Sequence, residues 1–385
     1  EIKGYKQYKR RETFNGQRCY PTGHPPAPNH LWKEWNKAKS RSQKSSGNWQ
    51  PIGPLQIPNN GGGMGRVNCI EFDPLDANIV FAGTPDGGIW KSVDGGVSWT
   101  TDTDQLVNLG VADIAINPLN PDTMYIATGD GYGFASGAGF WGGTYSNGIL
   151  MSVDGGTSWV TTGMNYDLTQ TRQVHSLSID PGNTANLIAT TSNGIWYSQD
   201  HGTSWSSALL CSFKDVEHHL TQSGVAYATG DAGVFKTMDG GVSWSVISAT
   251  VFPSGLERAI AVTPANPDMV CVFDENGSFT KSTNQGVTWG TTVNTGVYSY
   301  GWYTLAFAVS PTNPNVIFAG GLDLWKSTNG GNSWGLTANW LGWPATNYSH
   351  ADHRALTFVP GSGDELMNGN DGGVFKSSDQ GATWV

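Results

Sequence analysis

The sequence predicts an all-β protein: a seven-bladed β-propeller of four-stranded blades, preceded by an irregular basic N-terminal arm. Three observations carry the prediction. A phrase of the form Ser/Thr-x-Asp/Asn-x-Gly-x-Ser/Thr-Trp recurs through the chain, closing at Trp99, Trp159, Trp205, Trp244, Trp289, Trp334 and Trp384. The intervals between these tryptophans, 60, 46, 39, 45, 45 and 50 residues, match the length of one propeller blade. Within each period, short apolar runs alternate with Asn, Pro and Gly, the punctuation of strands and tight turns.

The arm spans residues 1–47. Its first 46 residues carry 11 Lys/Arg against 3 Asp/Glu, so it is strongly basic while the remainder is strongly acidic. Pro21 to Pro28 predicts extended chain. Asn29 is placed to cap a short helix over 29–39 whose Trp32 and Trp35 would dock on the ring. Attraction to its own acidic propeller is the simple reading of the arm, and a partner-binding tail the sharper one.

The propeller occupies 48–385. Each unit opens with an apolar strand that closes at or near Pro: Val67–Pro74, Val111–Pro118, Val174–Pro181, Ala259–Pro264, Leu305–Pro311 and Ala355–Pro360. A second apolar strand follows, then a third such as Gly88-Ile-Trp-Lys-Ser92, and the repeated phrase turns the chain into a fourth. In that phrase the carboxylate or amide accepts backbone N–H groups and the Gly supplies a left-handed turn. The Trp then adds buried area to a small sheet. Repetition therefore assigns Asp94, Asp154, Asp200, Asp239, Asn284, Asn329 and Asp379 to scaffold rather than catalysis. One ambiguity concerns closure: Trp49-Gln-Pro-Ile-Gly-Pro54 reads as an eighth fourth-strand candidate, competing with Trp384 to complete the last blade.

Composition narrows the function. An acidic ring excludes nucleic acid as a partner, which needs a basic face. No run of about 18 apolar residues exists, so no membrane-spanning helix is expected. A chain that begins at Glu1 reads as processed, which points to a secreted or outer-surface protein. Cys19, Cys69, Cys211 and Cys271 lack metal-ligand spacing and read as thiols. No phosphate loop or nucleophile elbow is present.

The candidate chemistry lies between the repeats. Arg66, Arg172, Arg258 and Arg354 all stand at the same register, just before or at a first strand, which would gather them at one mouth of the channel. Guanidinium groups so placed could clamp a carboxylate or sulfate, or instead pair with local acids such as Asp113, Glu257 and Asp352. His350-Ala-Asp352-His353-Arg354 is the densest constellation. In an extended strand His350 and Asp352 would share one side, as ligands for a divalent cation, the one cofactor candidate. The same segment could transfer protons, or be a structural hydrogen-bond cluster. Asp130, Asp231, Asp323 and Asp371 are acidic neighbours on second hairpins, and His218-His219 reads as an isolated surface pair. An aromatic insertion over 131–145 carries Tyr132, Phe134, Phe140 and Trp141. With Tyr303 and the rings of neighbouring inter-blade loops it would form a stacking platform for sugars.

The repeated phrase resembles the Asp-box, or BNR repeat, of sialidases, xyloglucanase-type glycoside hydrolases, sortilin-like receptors and a photosystem assembly factor. That resemblance implies the propeller and leaves activity open. Gly4–Arg10, Trp49–Pro54, Gly65-Arg-Val67 and the His-x-Asp-His segment before Asn370–Gly373 resemble large secreted proteins of Bacteroidetes. This likeness implies a type IX secretion sorting domain beyond residue 385. Sialidases are expected to carry an Arg-Ile-Pro motif, whereas Arg66 is followed by Val67-Asn68. Xyloglucanase-type enzymes use two propellers, and this chain has one. The leading reading is thus a secreted or surface propeller that binds glycans or a cell-surface protein, with the secretion machinery as a further partner. An exo-acting glycoside hydrolase, using the arginines as a clamp and Glu257, Asp352 or His353 in proton transfer, is the alternative. A spacer within a larger adhesin is the third.

Overall fold

The computed structural model describes residues 9, 19, 24, 27, 29–41, 63–131, 134–135, 139–140, 143–248, 252, 255–297 and 303–385. The chain divides into two units, 1–51 with 167–171, and 52–166 with 172–385.

In the first unit a helix runs His30–Arg41. The Asn29 carbonyl accepts the Lys33 N–H at 3.0 Å. The side-chain Oδ1 of Asn29 is buried without a hydrogen-bond partner, so the expected side-chain cap is not formed. Trp32 is half-buried, and the side chain of Trp35 lies outside the described residues.

The second unit is the propeller. Seven antiparallel sheets follow one another, each ordered from its first strand outward in chain order. The innermost strands are Cys69–Phe72, Val111–Ile116, Val174–Ile179, Phe213–His218, Arg258–Val262, Ala306–Val309 and Ala355–Phe358. Each packs beside the next, and the seventh returns to the first. Blade four opens on Phe213–His218, which lacks the closing Pro of its counterparts. This corrects the expectation that His218-His219 is a surface pair: both are buried, because His218 ends an inner strand and its Nδ1 meets Ser178 Oγ at 2.8 Å.

Second strands such as Met124–Thr128, Leu187–Thr191 and Ala226–Gly230 are buried along their whole length, since both faces meet neighbouring blades. Burial of that kind stabilises by about 1.5–3 kcal/mol per large aliphatic side chain. Ring closure uses the same device: Ile70, Phe72 and Val80 of blade one pack with Ala355, Val359 and Met367 of blade seven.

The repeated turn is a closed hydrogen-bond circuit. In the first copy, Ser92 Oγ donates to Asp94 Oδ1 at 2.7 Å and accepts the Gly96 N–H at 2.9 Å. The same carboxylate accepts the Ser98 N–H at 2.8 Å and its hydroxyl at 2.6 Å. Asp154, Asp200, Asp239 and Asp379 repeat the set. Asn284 and Asn329 keep it by reversing one bond, their amides donating to Thr288 Oγ1 and Ser333 Oγ, each at 2.8 Å. Six of the tryptophans donate Nε1–H back to a Gly carbonyl of their own turn, while Trp289 reaches Ile247 of the preceding blade at 2.9 Å. At the chain end, Val385 and Lys376 exchange backbone hydrogen bonds of 2.9 and 3.0 Å, so the residue after Trp384 starts the outer edge of blade seven. The competing segment, Trp49–Pro54, lies outside the described residues.

Candidate active site at the channel mouth

The inner strands enclose an axial cavity of about 260 Å³ lined from all seven blades. Its mouth lies where the hairpins joining second and third strands meet the connections between blades. Here the arginines expected to form one cluster divide. Arg66 and Arg354 converge on Tyr303, their guanidinium carbons 5.6 and 3.8 Å from the ring centroid. Arg258 is 1 % exposed and turns away, donating from Nη1 to the Gly230 carbonyl at 3.0 Å beside the Phe252 ring. Arg172 stays half-exposed, its carbonyl accepting the Ser146 N–H at 2.8 Å.

Each converging arginine faces an acid. Arg66 pairs with Asp130, and Arg354 Nε lies 3.7 Å from Asp371 Oδ1. These partners differ from the local carboxylates expected from sequence. Asp113 instead accepts the Leu177 N–H at 2.7 Å, and Glu257 pairs with Lys214 at 2.9 Å. Burial pulls the Arg66 pKa down, but Asp130 and Tyr303 outweigh it and the net shift is upward. For Arg354, burial and the neighbouring Arg66 prevail and lower it. The Tyr303 hydroxyl donates to Asp371 Oδ2 at 2.6 Å, and burial followed by that bond raises its pKa.

Asp352 stands beside this group with φ at 67°, a left-handed conformation uncommon outside glycine. The turn corrects the expectation that 350–353 is extended: the inner strand begins only at Ala355, so simple alternation does not place His350 and Asp352 on one side. Burial, then repulsion from Asp371, raises the Asp352 pKa. Its Oδ1 is buried with no hydrogen-bond partner. His350 packs against Gly372, its Nδ1 3.2 Å from the Ala351 carbonyl oxygen. Among the described residues no group of three His, Cys, Asp or Glu side chains is gathered closely enough to hold a metal ion.

His353 does not reach the mouth. It is fully buried, with Nδ1 2.9 Å from Asn368 Oδ1, and burial lowers its pKa to about 4. It belongs to a core network in which Asn368 Nδ2 donates to Ser349 at 2.9 Å. Glu257 stands on the blade-five side, so the expected catalytic trio is not assembled in one place. Within the aromatic insertion, Phe134–Ala135 and Gly139–Phe140 pair as a two-stranded ribbon. Tyr132 and Trp141 lie outside the described residues, as do the side chains of Phe134 and Phe140.

Sequence reasoning missed Asp86. It lies near Arg66 and Asp130, and burial followed by Asp130 raises its pKa. Its signal was its place on the second hairpin of blade one, matching Asp130 and Asp371. The channel wall also went unforeseen, where Glu71, Asp113, Asp215 and Glu217 project from inner strands.

No family model matches the chain. A xyloglucanase of Acetivibrio thermocellus is 25% identical over 248 residues, covering 60% of this chain and 26% of the relative. Among solved structures, the GH74 xyloglucanase from Xanthomonas campestris superposes with a TM-score of 0.65 at 19% identity, over 85% of this chain and 53% of that one. The GH74 enzyme of Niastella koreensis gives 0.64 at 20% identity, over 84% and 54%. YCF48 from Cyanidioschyzon merolae gives 0.56 at 16%, over 84% of this chain and 98% of that one. The chain thus spans about a quarter of the length of the curated relative it matches and about half of the GH74 structures. These likenesses establish a seven-bladed propeller with xyloglucanases among its structural neighbours.

Proposed function

We propose that this propeller is a glycoside hydrolase-like protein acting on a glycan at the channel mouth, outside the cell. The observation that carries the reading is the pairing of two carboxyl groups in unlike environments. Asp352 is desolvated, left-handed and raised in pKa. Asp371 is held by the Tyr303 hydroxyl and faces Arg354. A desolvated Asp352 beside an Asp371 held by a tyrosine hydroxyl suits division of labour, with Asp352 as the acid that protonates a glycosidic oxygen and Asp371 as its partner. Their backbones are joined, since the Asp371 N–H donates to the Ala351 carbonyl at 3.3 Å.

Buried atoms without a hydrogen-bond partner lie at this end of the channel: Arg66 Nε and Asn68 Oδ1, besides Asp352 Oδ1. Sugar hydroxyls, which both donate and accept, suit such a lining. The likeness to xyloglucanases supports the same class of ligand. Because Asp130 and Asp371 already face the converging arginines, the arrangement favours a glycan without carboxylates over the acidic sugar for which those arginines would be a clamp. Export through a type IX system rests on the sequence resemblance alone.

Release of reducing ends from a panel of β-glucans, xyloglucan and hexosamine polymers tests the reading. Asp352→Asn is expected to lower the rate at least about a hundredfold while glycan binding persists. Hydrolysis of none of the panel by the wild type, with binding retained, would favour the second reading, a propeller that only binds glycans. An Asp352→Asn protein as active as the wild type would refute the acid assignment.

A further inference from the structure

The channel below the mouth has two unlike walls. Glu71, Asp113, Asp215 and Glu217 line it from blades one, two and four, while Ile260, Leu305, Phe307 and Leu356 line it from blades five to seven. The acids are not equivalent. Asp113 accepts the Leu177 and Ile114 N–H groups, and Asp215 accepts those of Ile260 and Val216, so these two satisfy inner-strand backbone across blade boundaries. Glu71 and Glu217 are half-buried and take no such backbone bond.

The other charged groups on the wall do not neutralise them. Lys214 is paired with Glu257, Arg258 bonds the Gly230 carbonyl, and Arg354 is held between Tyr303 and Asp371. His175, 4 % exposed, has its pKa lowered well below the usual imidazole range by burial and then by Lys214. Its Nε2 has no hydrogen-bond partner. Asn68, 3 % exposed on the same wall, keeps Oδ1 as a second buried acceptor without a donor.

We infer that this channel is an ammonium subsite, and that the glycans taken at the mouth are those carrying free amino groups, such as glucosamine oligomers. The inference rests on the glycan-acting reading above and names its substrate class. An amino sugar has the matching asymmetry, with a cationic amine for the Glu71 and Glu217 wall and an apolar C–H face for Phe307 and its neighbours. Burial and the surrounding acids push Glu71 up to about 8, and Glu217 well above its usual range. Near neutrality these carboxyls therefore hold protons, and a bound ammonium would favour their ionised form, so that its binding releases protons.

Calorimetric titration of the full chain with tetramers of glucosamine, N-acetylglucosamine and galacturonate tests this from about pH 6 to about pH 8, and the amine preference should grow as Glu71 begins to ionise while the amine is still charged. The glucosamine tetramer should bind at least about tenfold more tightly than its acetylated counterpart, the size of one charge-assisted hydrogen bond. The galacturonate tetramer should bind most weakly. Glu71→Gln with Glu217→Gln should abolish the preference, so that the amine and acetylated tetramers bind alike. Should the double variant fail to fold, the wild-type preference must still fall with rising ionic strength. Equal binding of the amine and acetylated tetramers, or a preference indifferent to both salt and the variants, overturns the inference while leaving the glycan reading intact. Failure of every tetramer to bind counts against the glycan reading itself.

Discussion

The Tyr303 hydroxyl donates to Asp371 at 2.6 Å, joining the connection into blade six to the second hairpin of blade seven. The Arg354 guanidinium lies 3.8 Å from the same ring. Tyr303 thus both orients the carboxylate and covers the cation that faces it. Tyr303→Phe should keep the ring over Arg354 and lose the hydroxyl's hydrogen bonds to Asp371 and to the two arginines. On the proposed assignment kcat falls about tenfold, from a loss of about 1.5 kcal/mol, with little change in KM. A rise in KM at constant kcat would place Tyr303 in substrate binding instead.

Lysines on four of the third strands fasten one blade to the next. Lys91 Nζ donates to the Gly155 carbonyl at 3.0 Å, Lys281 to Gly330 at 2.7 Å and Lys326 to Gln380 at 2.9 Å. Lys236 reaches Gln285 at 3.3 Å, and between blades two and three the Tyr125 hydroxyl takes the role, donating to His201 at 3.2 Å. Lys281→Met should cost about 1 kcal/mol in urea unfolding, the lower end for a charged donor because the site is partly open to solvent. An unchanged midpoint would show the contact to be energetically idle.

Stability should fall as pH rises through neutrality. Burial pushes Glu71 up to about 8 and Asp113 to about 7, above the usual carboxyl values of about 4. A group raised on folding leaves stability at its fullest below the unfolded pKa and withdraws it as pH climbs through the folded one. The melting temperature should therefore be several degrees higher at about pH 5 than at about pH 8. The Glu71→Gln variant should flatten that slope, and a steeper slope in the variant would contradict its origin in the buried carboxyls.

The repeated carboxylates work in the opposite direction. Their hydrogen bonds, above all from the Ser98 hydroxyl in the first copy, lower Asp94 to about 2. That contribution is present above the unfolded pKa of about 4 and is lost only as pH falls toward 2. Because Asn284 and Asn329 preserve the circuit, Asp94→Asn should melt closer to wild type than Asp94→Ala. Equal melting temperatures for the two variants would show that the circuit does not depend on the side-chain acceptor.

Much of the fold was legible because its signals are local. Asp94 and Ser98, or Asn284 and Thr288, are four residues apart, so the chain itself brings them together and repetition announces the result. The closing Asx turns are equally local, as where Asp73 Oδ1 accepts the Leu75 N–H at 2.8 Å. The first strand of blade four, Phe213–His218, carries no such punctuation, so nothing local marks His218 as the end of an inner strand.

The sequence by itself therefore determined the blades, their number and the structural use of the repeated acids. Only the tertiary structure decided which of four arginines in register meet at Tyr303, that Asp130 and Asp371 rather than Asp113 and Glu257 face them, and that Glu71 and Glu217 share a channel. Those partners lie tens to hundreds of residues apart, and ring closure sets their proximity. Charge and register could place each residue near an end of its blade, but pairing across the channel depends on backbone turns such as that at Asp352, which no local pattern specifies.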